Sequence, residues 1–175
     1  MSLLMEHMIG LTDTAYLGRV GEVELGASAL AGVYYLVIYM LGFGFSIGAQ
    51  VLIARRNGAQ EYKRIGPVFL QGTFFLLLLA ALLFTFSHLY SPFFLRKLID
   101  SDGVYQATME YVDWRVYGFF FSFVAVMFRA FYVGITKTRI LTINSVVMVL
   151  TNVMLNYVLI FGKFGLPALG IAGAA

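Results

Sequence analysis

The chain has 175 residues, of which 61% are hydrophobic and 12% are charged. Water-soluble domains carry about 25% charged residues, so this composition excludes an ordinary soluble domain. The formal net charge of +3 is too small to indicate a nucleic-acid partner, and we expect none. Because the chain has no cysteine and only two histidines, it excludes disulfides and thiolate metal sites and disfavours zinc chemistry.

Apolar runs bounded by charged residues predict five membrane-spanning helices. In chain order they cover residues 1–17, 25–54, 67–90, 111–134 and 141–161. The first extends only about 25 Å, and residues 167–175 give only about 13 Å of a sixth helix. The predicted fold class is therefore an all-α membrane protein with five transmembrane helices plus the start of a sixth. We expect residues 1–175 to be one truncated six-helix bundle, clipped in its first and sixth helices.

The loops differ in their content of basic residues. Those after the second and fourth spans carry six basic residues: Arg55, Arg56, Lys63, Arg64, Lys137 and Arg139. Those on the opposite side carry four: Arg19, Arg96, Lys97 and Lys163. The positive-inside rule therefore predicts a multi-pass protein of the inner (plasma) membrane with a cytoplasmic amino terminus.

Asp13 is the ionisable residue whose position most needs an explanation. A charged side chain inside a span requires a cavity, a partner or a neutralising proton, and Asp13 lies about 6 Å from the outer end of the first span. Asn152 and Asn156 share a face of the fifth span, with Asn156 about 8 Å from the same boundary. We expect these three residues to form a cation-coupling or proton-coupling site. The alternative for the asparagines is that their amides only hold helices together.

The second span carries a polar and aromatic face, formed by Tyr35, Tyr39, Gly42, Ser46 and Gln50. Their spacing of three and four residues places them on one side of a helix, which we expect to look inward. Tyrosine rings and a glutamine amide can hold an organic cation, so Tyr35, Tyr39 and Gln50 are candidate substrate-lining residues. Met148 shares the amide face of the fifth span and is a fourth candidate. Ordinary helix packing explains the face of the second span equally well, and for Met148 core packing is the favoured role.

Arg129 has a less specific interpretation. It lies five residues before Gly134 at the end of the fourth span. A long side chain at that depth can reach the membrane surface, and the sequence predicts that Arg129 snorkels to the cytoplasmic side.

Four stretches of the sequence resemble one transporter family. They are TDTAYLGRVGEVELGASALA, GFSIGAQVLIARRNGA, FRAFYVGITKTR and TNVMLNYVLIFGKFGLPALGIAGAA. In this order they are similar to the amino-terminal half of multidrug and toxic compound extrusion (MATE) transporters. The resemblance implies a parent of twelve transmembrane helices in two bundles, with substrate bound between them. The missing carboxy-terminal bundle, a small organic substrate and membrane lipid are then the partners, and H⁺, with Na⁺ as the alternative, is the coupling ion.

The resemblance also suggests roles for individual residues. The family's first-helix acid falls on Asp13, and the paired positions of its amino-lobe cation site fall on Asn152 and Asn156. In archaeal and some related members the second paired position is an aspartate. Because Asn156 is neutral, a two-carboxylate site is absent, and a proton on Asp13 is favoured over sodium.

The sequence therefore predicts the amino lobe of a cation-coupled antiporter rather than an enzyme, and no cofactor. It exports amphipathic or cationic organic compounds by alternating access. One alternative is a lipid-linked saccharide flippase of the same superfamily, which the small number of arginines in the spans disfavours. A second is a structural fragment that transports nothing. An intramembrane enzyme built from His7, His88 and scattered carboxylates is the weakest alternative.

Overall fold

The computed structural model describes residues 14–19 and 21–161 of the chain. Helices are the regular structure within these residues, and they occur in the order α1 (14–19), α2 (Glu22–Gly58), a 3₁₀ turn (Tyr62–Arg64), α3 (Ile65–Leu98), α4 (Asp102–Arg115), α5 (Gly118–Gly134) and α6 (Arg139–Phe161). The all-helical fold class is confirmed. The predicted sixth helix and most of the first lie outside the described residues.

Three helical segments of the described chain are long and apolar enough to cross a membrane: Glu22–Gly58, Tyr62–Leu98 and Arg139–Ile160. They coincide with the second, third and fifth predicted spans. At 1.5 Å per residue, α2 and α3 are each about 50 Å or more in length, well above the roughly 30 Å of a hydrocarbon core. Both helices therefore extend beyond the apolar layer into the polar regions that flank it.

The fourth predicted span is not one straight helix. The structure breaks it into α4 and α5, which meet at a bend of 53°. At the break, the Phe119 amide donates to the carbonyl of Val116 at 3.1 Å, so a tighter three-residue turn replaces an α-helical one. The apolar pattern runs across the break without a proline, which is why hydropathy predicted continuity. Counted together, the bent pair gives a fourth crossing among the described residues.

Helices α2 and α5 end in the same way. Each is followed by a non-glycine residue in the left-handed region, Gln60 with φ 58° and Thr136 with φ 60°. After α5, the Lys137 amide donates to the Tyr132 carbonyl at 2.9 Å, which closes the helix end with a Schellman-type bond. This turn starts α6 directly beside the end of α5.

Helix α2 is packed against three other helices, α3, α4 and α5, whereas α6 contacts α5 only sparsely. The buried face of α2 recurs at helical spacing and consists of Ala27, Ala31, Ile38, Gly42, Ser46, Ala49 and Ile53. The core therefore lies along the α2–α5 contact, and α6 stands at its margin.

The α2–α5 contact requires glycine from both helices. A Cβ on Gly42 would lie 2.6 Å from the ring of Phe123, and a Cβ on Gly134 would lie 2.6 Å from Cγ2 of Ile53. Phe123 is fully buried, so its ring has no space into which to retreat. Small residues that let backbones approach closely are the usual means of joining helices within a membrane.

We therefore expect Gly42→Ala to destabilise the bundle by about 1–3 kcal/mol, because the added methyl group overlaps the Phe123 ring. Gly44→Ala is the matched control, since a Cβ at Gly44 meets nothing within 4 Å. Thermal unfolding in detergent micelles, followed by Trp114 fluorescence, should show a Tm lower by several degrees for Gly42→Ala only. Equal Tm values for the two variants would contradict the close contact.

Candidate functional site

The polar and aromatic face predicted on the second span lies on the inner side of α2. Gly42 and Ser46 are buried, and Tyr35, Tyr39 and Gln50 are half-buried. The face is therefore positioned by the same helical spacing that buries the core residues of α2. It faces α5 along the middle of the bundle.

Two consecutive tyrosines join α2 to its neighbours. The Tyr34 hydroxyl donates to Oγ of Ser87 on α3 at 2.7 Å. The Tyr35 hydroxyl shares a hydrogen bond of 2.5 Å with Oγ of Ser122 on α5. Because successive residues project about 100° apart, adjacent positions on one helix can reach two different partners. The hydroxyl of Tyr35, a candidate substrate-lining residue, is therefore already engaged within the protein.

Three rings of α2 form an aromatic row, defined here as Tyr35, Tyr39 and Phe43. Their centroids are 6.4 Å apart between Tyr35 and Tyr39 and 6.0 Å apart between Tyr39 and Phe43. A guanidinium lies over each end of the row: Arg115 is 4.7 Å from the Tyr35 centroid, and Arg129 is 5.2 Å from the Phe43 centroid. The row thus provides two cation–π contacts, one with Arg115 at the junction of α4 and α5 and one with Arg129 near the carboxy-terminal end of α5.

A cavity of about 480 Å³ lies between α2, α5 and α6, and is called the α5–α6 cavity below. Its polar and polarisable lining consists of Tyr39, Arg129, Tyr132, Asn144, Ser145 and Met148. Two candidate substrate-lining residues, Tyr39 and Met148, thus share one cavity. The other two, Tyr35 and Gln50, do not line it. Its volume is within the range of small-molecule sites.

Arg129 is a lining residue that the sequence did not single out as part of a site. Its side chain is half-buried, lines the cavity and lies against Phe43, and its reach to the membrane surface stays a prediction. Tyr132 follows three residues later and lines the same cavity, so the two share a helix face. That spacing was the available signal in the sequence.

The asparagines of α6 lie in different surroundings. Asn144 is exposed and donates from Nδ2 to Sδ of Met148 at 3.3 Å, a weak acceptor. Asn152 is half-buried, and Asn156 is 6% exposed. Asn144 and Met148 therefore belong to the α5–α6 cavity, whereas Asn152 and Asn156 lie toward the opposite end of α6.

The side-chain oxygen of Asn152 stands out among the buried polar atoms. Oδ1 is buried, and within the described part of the chain it has no hydrogen-bond partner. An unmet acceptor of this kind costs about 1–3 kcal/mol, so buried polar groups are nearly always paired. A carboxamide oxygen in this position can accept a hydrogen bond or coordinate a cation.

Asp13 lies outside the described residues, and so do His7 and Glu6. Its predicted meeting with Asn152 and Asn156 therefore stays a prediction. Within the ranges that are described, no group of three His, Cys, Asp or Glu side chains could hold a metal ion.

Comparison with known proteins gives a consistent result. The family model described as MatE matches residues 1–158. Among curated relatives, the probable multidrug resistance protein NorM of Synechocystis is 30% identical over 168 residues, covering 95% of this chain. The probable NorM protein of Bacillus subtilis is 28% identical over 167 residues, also covering 95% of this chain. The chain spans only 36% and 37% of the length of these two relatives.

Solved structures share the fold. A MOP superfamily transporter from Pyrococcus furiosus superposes with a TM-score of 0.90 at 18% identity, covering 99% of this chain and 37% of its own. An outward-facing multidrug resistance MATE family transporter gives a TM-score of 0.90 at 18% identity, with 99% and 38% covered. At this level of identity the likeness shows the fold alone.

We expect Asn152→Leu to raise the free energy of unfolding by about 1 kcal/mol, because it removes a buried acceptor that has no partner among the described residues. Asn144→Leu is the control, since Asn144 is exposed and its amide already has a contact. Denaturant titration in detergent micelles should show a higher midpoint for Asn152→Leu than for either the wild type or the control. A lower midpoint would mean that the Asn152 oxygen stabilises the described fold.

Proposed function

This chain belongs to the MatE family, and from that premise we propose that it forms the amino-terminal transmembrane lobe of a cation-coupled multidrug exporter. The cargo in this proposal is an amphipathic or cationic organic compound, moved by alternating access between two bundles. The curated relatives that match are named as multidrug resistance proteins, which supports transport rather than catalysis.

The observation that carries the coupling part of the proposal is the unsatisfied oxygen of Asn152. A coupling site has to exist in a loaded and an empty form. A carboxamide oxygen can accept a hydrogen bond from a protonated carboxyl group or coordinate a monovalent cation, and it loses that partner when the site empties. A buried acceptor without a permanent partner fits the empty form.

Asp13 is the proposed proton carrier. Leu17, four residues later, is 1% exposed, so the face of α1 that carries Leu17 points into the bundle. Helical spacing is the basis for proposing that Asp13 shares this face and meets Asn152 and Asn156. Protonation of the carboxylate would cancel its charge and change its bonding to the amides, which favours a shift of α1.

We propose H⁺ rather than Na⁺ as the coupling ion. Sodium sites in transporters draw on several oxygen ligands, and a carboxylate pair supplies both ligands and charge. Asn156 is neutral, so Asp13 is the single carboxylate of the proposed site. A proton needs only one carboxylate to bind, and Asp13 supplies it in this proposal.

The α5–α6 cavity supports the amphipathic character of the proposed cargo. Tyr39, Phe121 and Phe128 give it aromatic walls, and Met148 adds a flexible, polarisable one. Such walls accept apolar bodies of varied shape, as multidrug recognition requires. The second bundle, supplied by the parent chain, would complete the cleft.

We place the protein in the inner membrane with its amino terminus in the cytoplasm. The 3₁₀ turn after α2 and the turn after α5 lie at one end of the bundle, and the basic residues Lys63, Arg64 and Lys137 lie in or beside them. The positive-inside rule assigns this end to the cytoplasm.

The test is a chimera in which this chain replaces the matching first third of the Bacillus subtilis relative. Everted membrane vesicles carrying it are expected to move ethidium under an imposed pH gradient, and Asp13→Asn should lower that rate at least tenfold. Asp113→Asn, at an exposed acid of α4, is the control and should leave the rate unchanged.

Two results would contradict the proposal. Transport in the Asp13→Asn chimera with the wild-type pH dependence would remove Asp13 from coupling. Transport driven by a sodium gradient, with no response to a pH gradient, would replace the proton as the coupling ion.

A further inference from the structure

Arg129 is a charged side chain whose electrostatic needs the described protein does not meet. It is half-buried on α5, and its guanidinium lies 5.2 Å from the Phe43 ring centroid. Within residues 14–19 and 21–161 it forms no ion pair, whereas Arg64 pairs with Glu61 at 3.3 Å and Arg96 pairs with Asp102 at 2.6 Å. A half-buried guanidinium without a carboxylate beside it can form charge-assisted hydrogen bonds with an acidic group that enters the cavity.

Two further donors line the same cavity without a strong acceptor. Tyr132 lies one turn after Arg129 on α5, and its hydroxyl makes no hydrogen bond to another described residue. Across the cavity on α6, the Asn144 amide donates only to the sulfur of Met148, at 3.3 Å. The walls therefore offer a guanidinium, a phenol and a carboxamide to any acceptor that enters.

Among the described residues, the lining of the α5–α6 cavity carries no charge that complements a cationic ligand. It contains no aspartate or glutamate from this part of the chain, so these walls give a bound ammonium group no countercharge. An acidic group, by contrast, would gain a charge-assisted contact with Arg129, which is about twice as strong as a neutral hydrogen bond.

The rest of the lining is apolar, and the cavity is open at one side. Phe121, Val124 and Phe128 face the cavity from α5, and Phe121 is 80% exposed. A ligand can therefore keep an apolar body against these rings while its polar end reaches Arg129. The volume of about 480 Å³ accommodates a drug-sized molecule or part of a lipid.

We propose that the α5–α6 cavity is a binding site for amphipathic anions, with the acidic group on Arg129 and the apolar body against Phe121 and Phe128. Tyr132 and Asn144 donate to the remaining oxygens of the acidic group. The inference rests on the proposed function only where the anion is cargo, and it extends the substrate class to compounds with an acidic group.

Equilibrium binding of a fluorescent amphipathic anion to the full 175-residue chain in dodecylmaltoside micelles tests the proposal. The probe is dansylaminoundecanoic acid, and its methyl ester is the uncharged comparison. We expect the wild type to bind the acid at least tenfold more tightly than the ester. Arg129→Gln should abolish that preference while leaving the ester affinity unchanged, and Arg129→Lys should retain part of it.

Lys137→Gln is the control for general surface charge, because Lys137 is exposed just beyond α5 and does not line the cavity. If Arg129→Gln does not elute as a folded species, the double variant Tyr132→Phe with Asn144→Leu should lower acid affinity about threefold. Equal binding of acid and ester by the wild type, equal loss of both probes in Arg129→Gln, or an equal effect of Lys137→Gln would overturn the proposal.

A second arm identifies the source of the anion. In nanodiscs of phosphatidylcholine with added phosphatidylglycerol, competition with the probe that depends on Arg129 would identify a lipid headgroup as the occupant. Undiminished probe binding would identify a soluble compound instead. Either result supports an amphipathic anion. Binding is measured without an ion gradient or a second bundle. The proposed anion site is therefore tested independently of the proposed transport function.

Discussion

The close contact between α2 and α5 determines where the other parts of the bundle lie. Gly42 admits the ring of Phe123 and Gly134 admits Ile53, so each helix supplies one glycine to the contact. Inside a membrane, apolar side chains are already surrounded by apolar lipid, so the hydrophobic effect does not drive helices together. Close van der Waals contact holds them instead. With this contact fixed, Tyr35 reaches α5 and the aromatic row lies along it. The cavity lies between α5 and α6, whose described residues contact each other only sparsely.

Hydropathy was sufficient to predict the helices that span a membrane, but not their irregularities. Long apolar runs between charges leave only helices as a stable structure in lipid, which explains the agreement for α2, α3 and α6. The bend near Val116 was missed because a single tightened turn leaves no mark on hydrophobicity. The place of Arg129 in the cavity could not be predicted, because distance from a helix end gives depth but not the direction of the side chain. The predicted meeting of Asp13 with Asn152 depends on contacts between helices, which one sequence does not specify, and it stays a prediction.

Within the described residues, α5 is tightly packed and α6 is loosely packed. Helix α5 buries Phe119, Phe123 and Met127 completely, whereas α6 leaves most of its large apolar side chains exposed. The unsatisfied Asn152 and the weakly bonded Asn144 both belong to α6. Within the described residues, α6 thus combines sparse packing with polar groups that lack strong partners, and Arg129 and Tyr132 add two such groups on the facing side of α5.

The adjacent tyrosines of α2 restrict how the bundle can deform. Tyr34 is hydrogen-bonded to Ser87 of α3 and Tyr35 to Ser122 of α5, so a twist of α2 about its own axis strains both hydrogen bonds. Displacement of α2 relative to either neighbour would therefore cost at least one of these two hydrogen bonds.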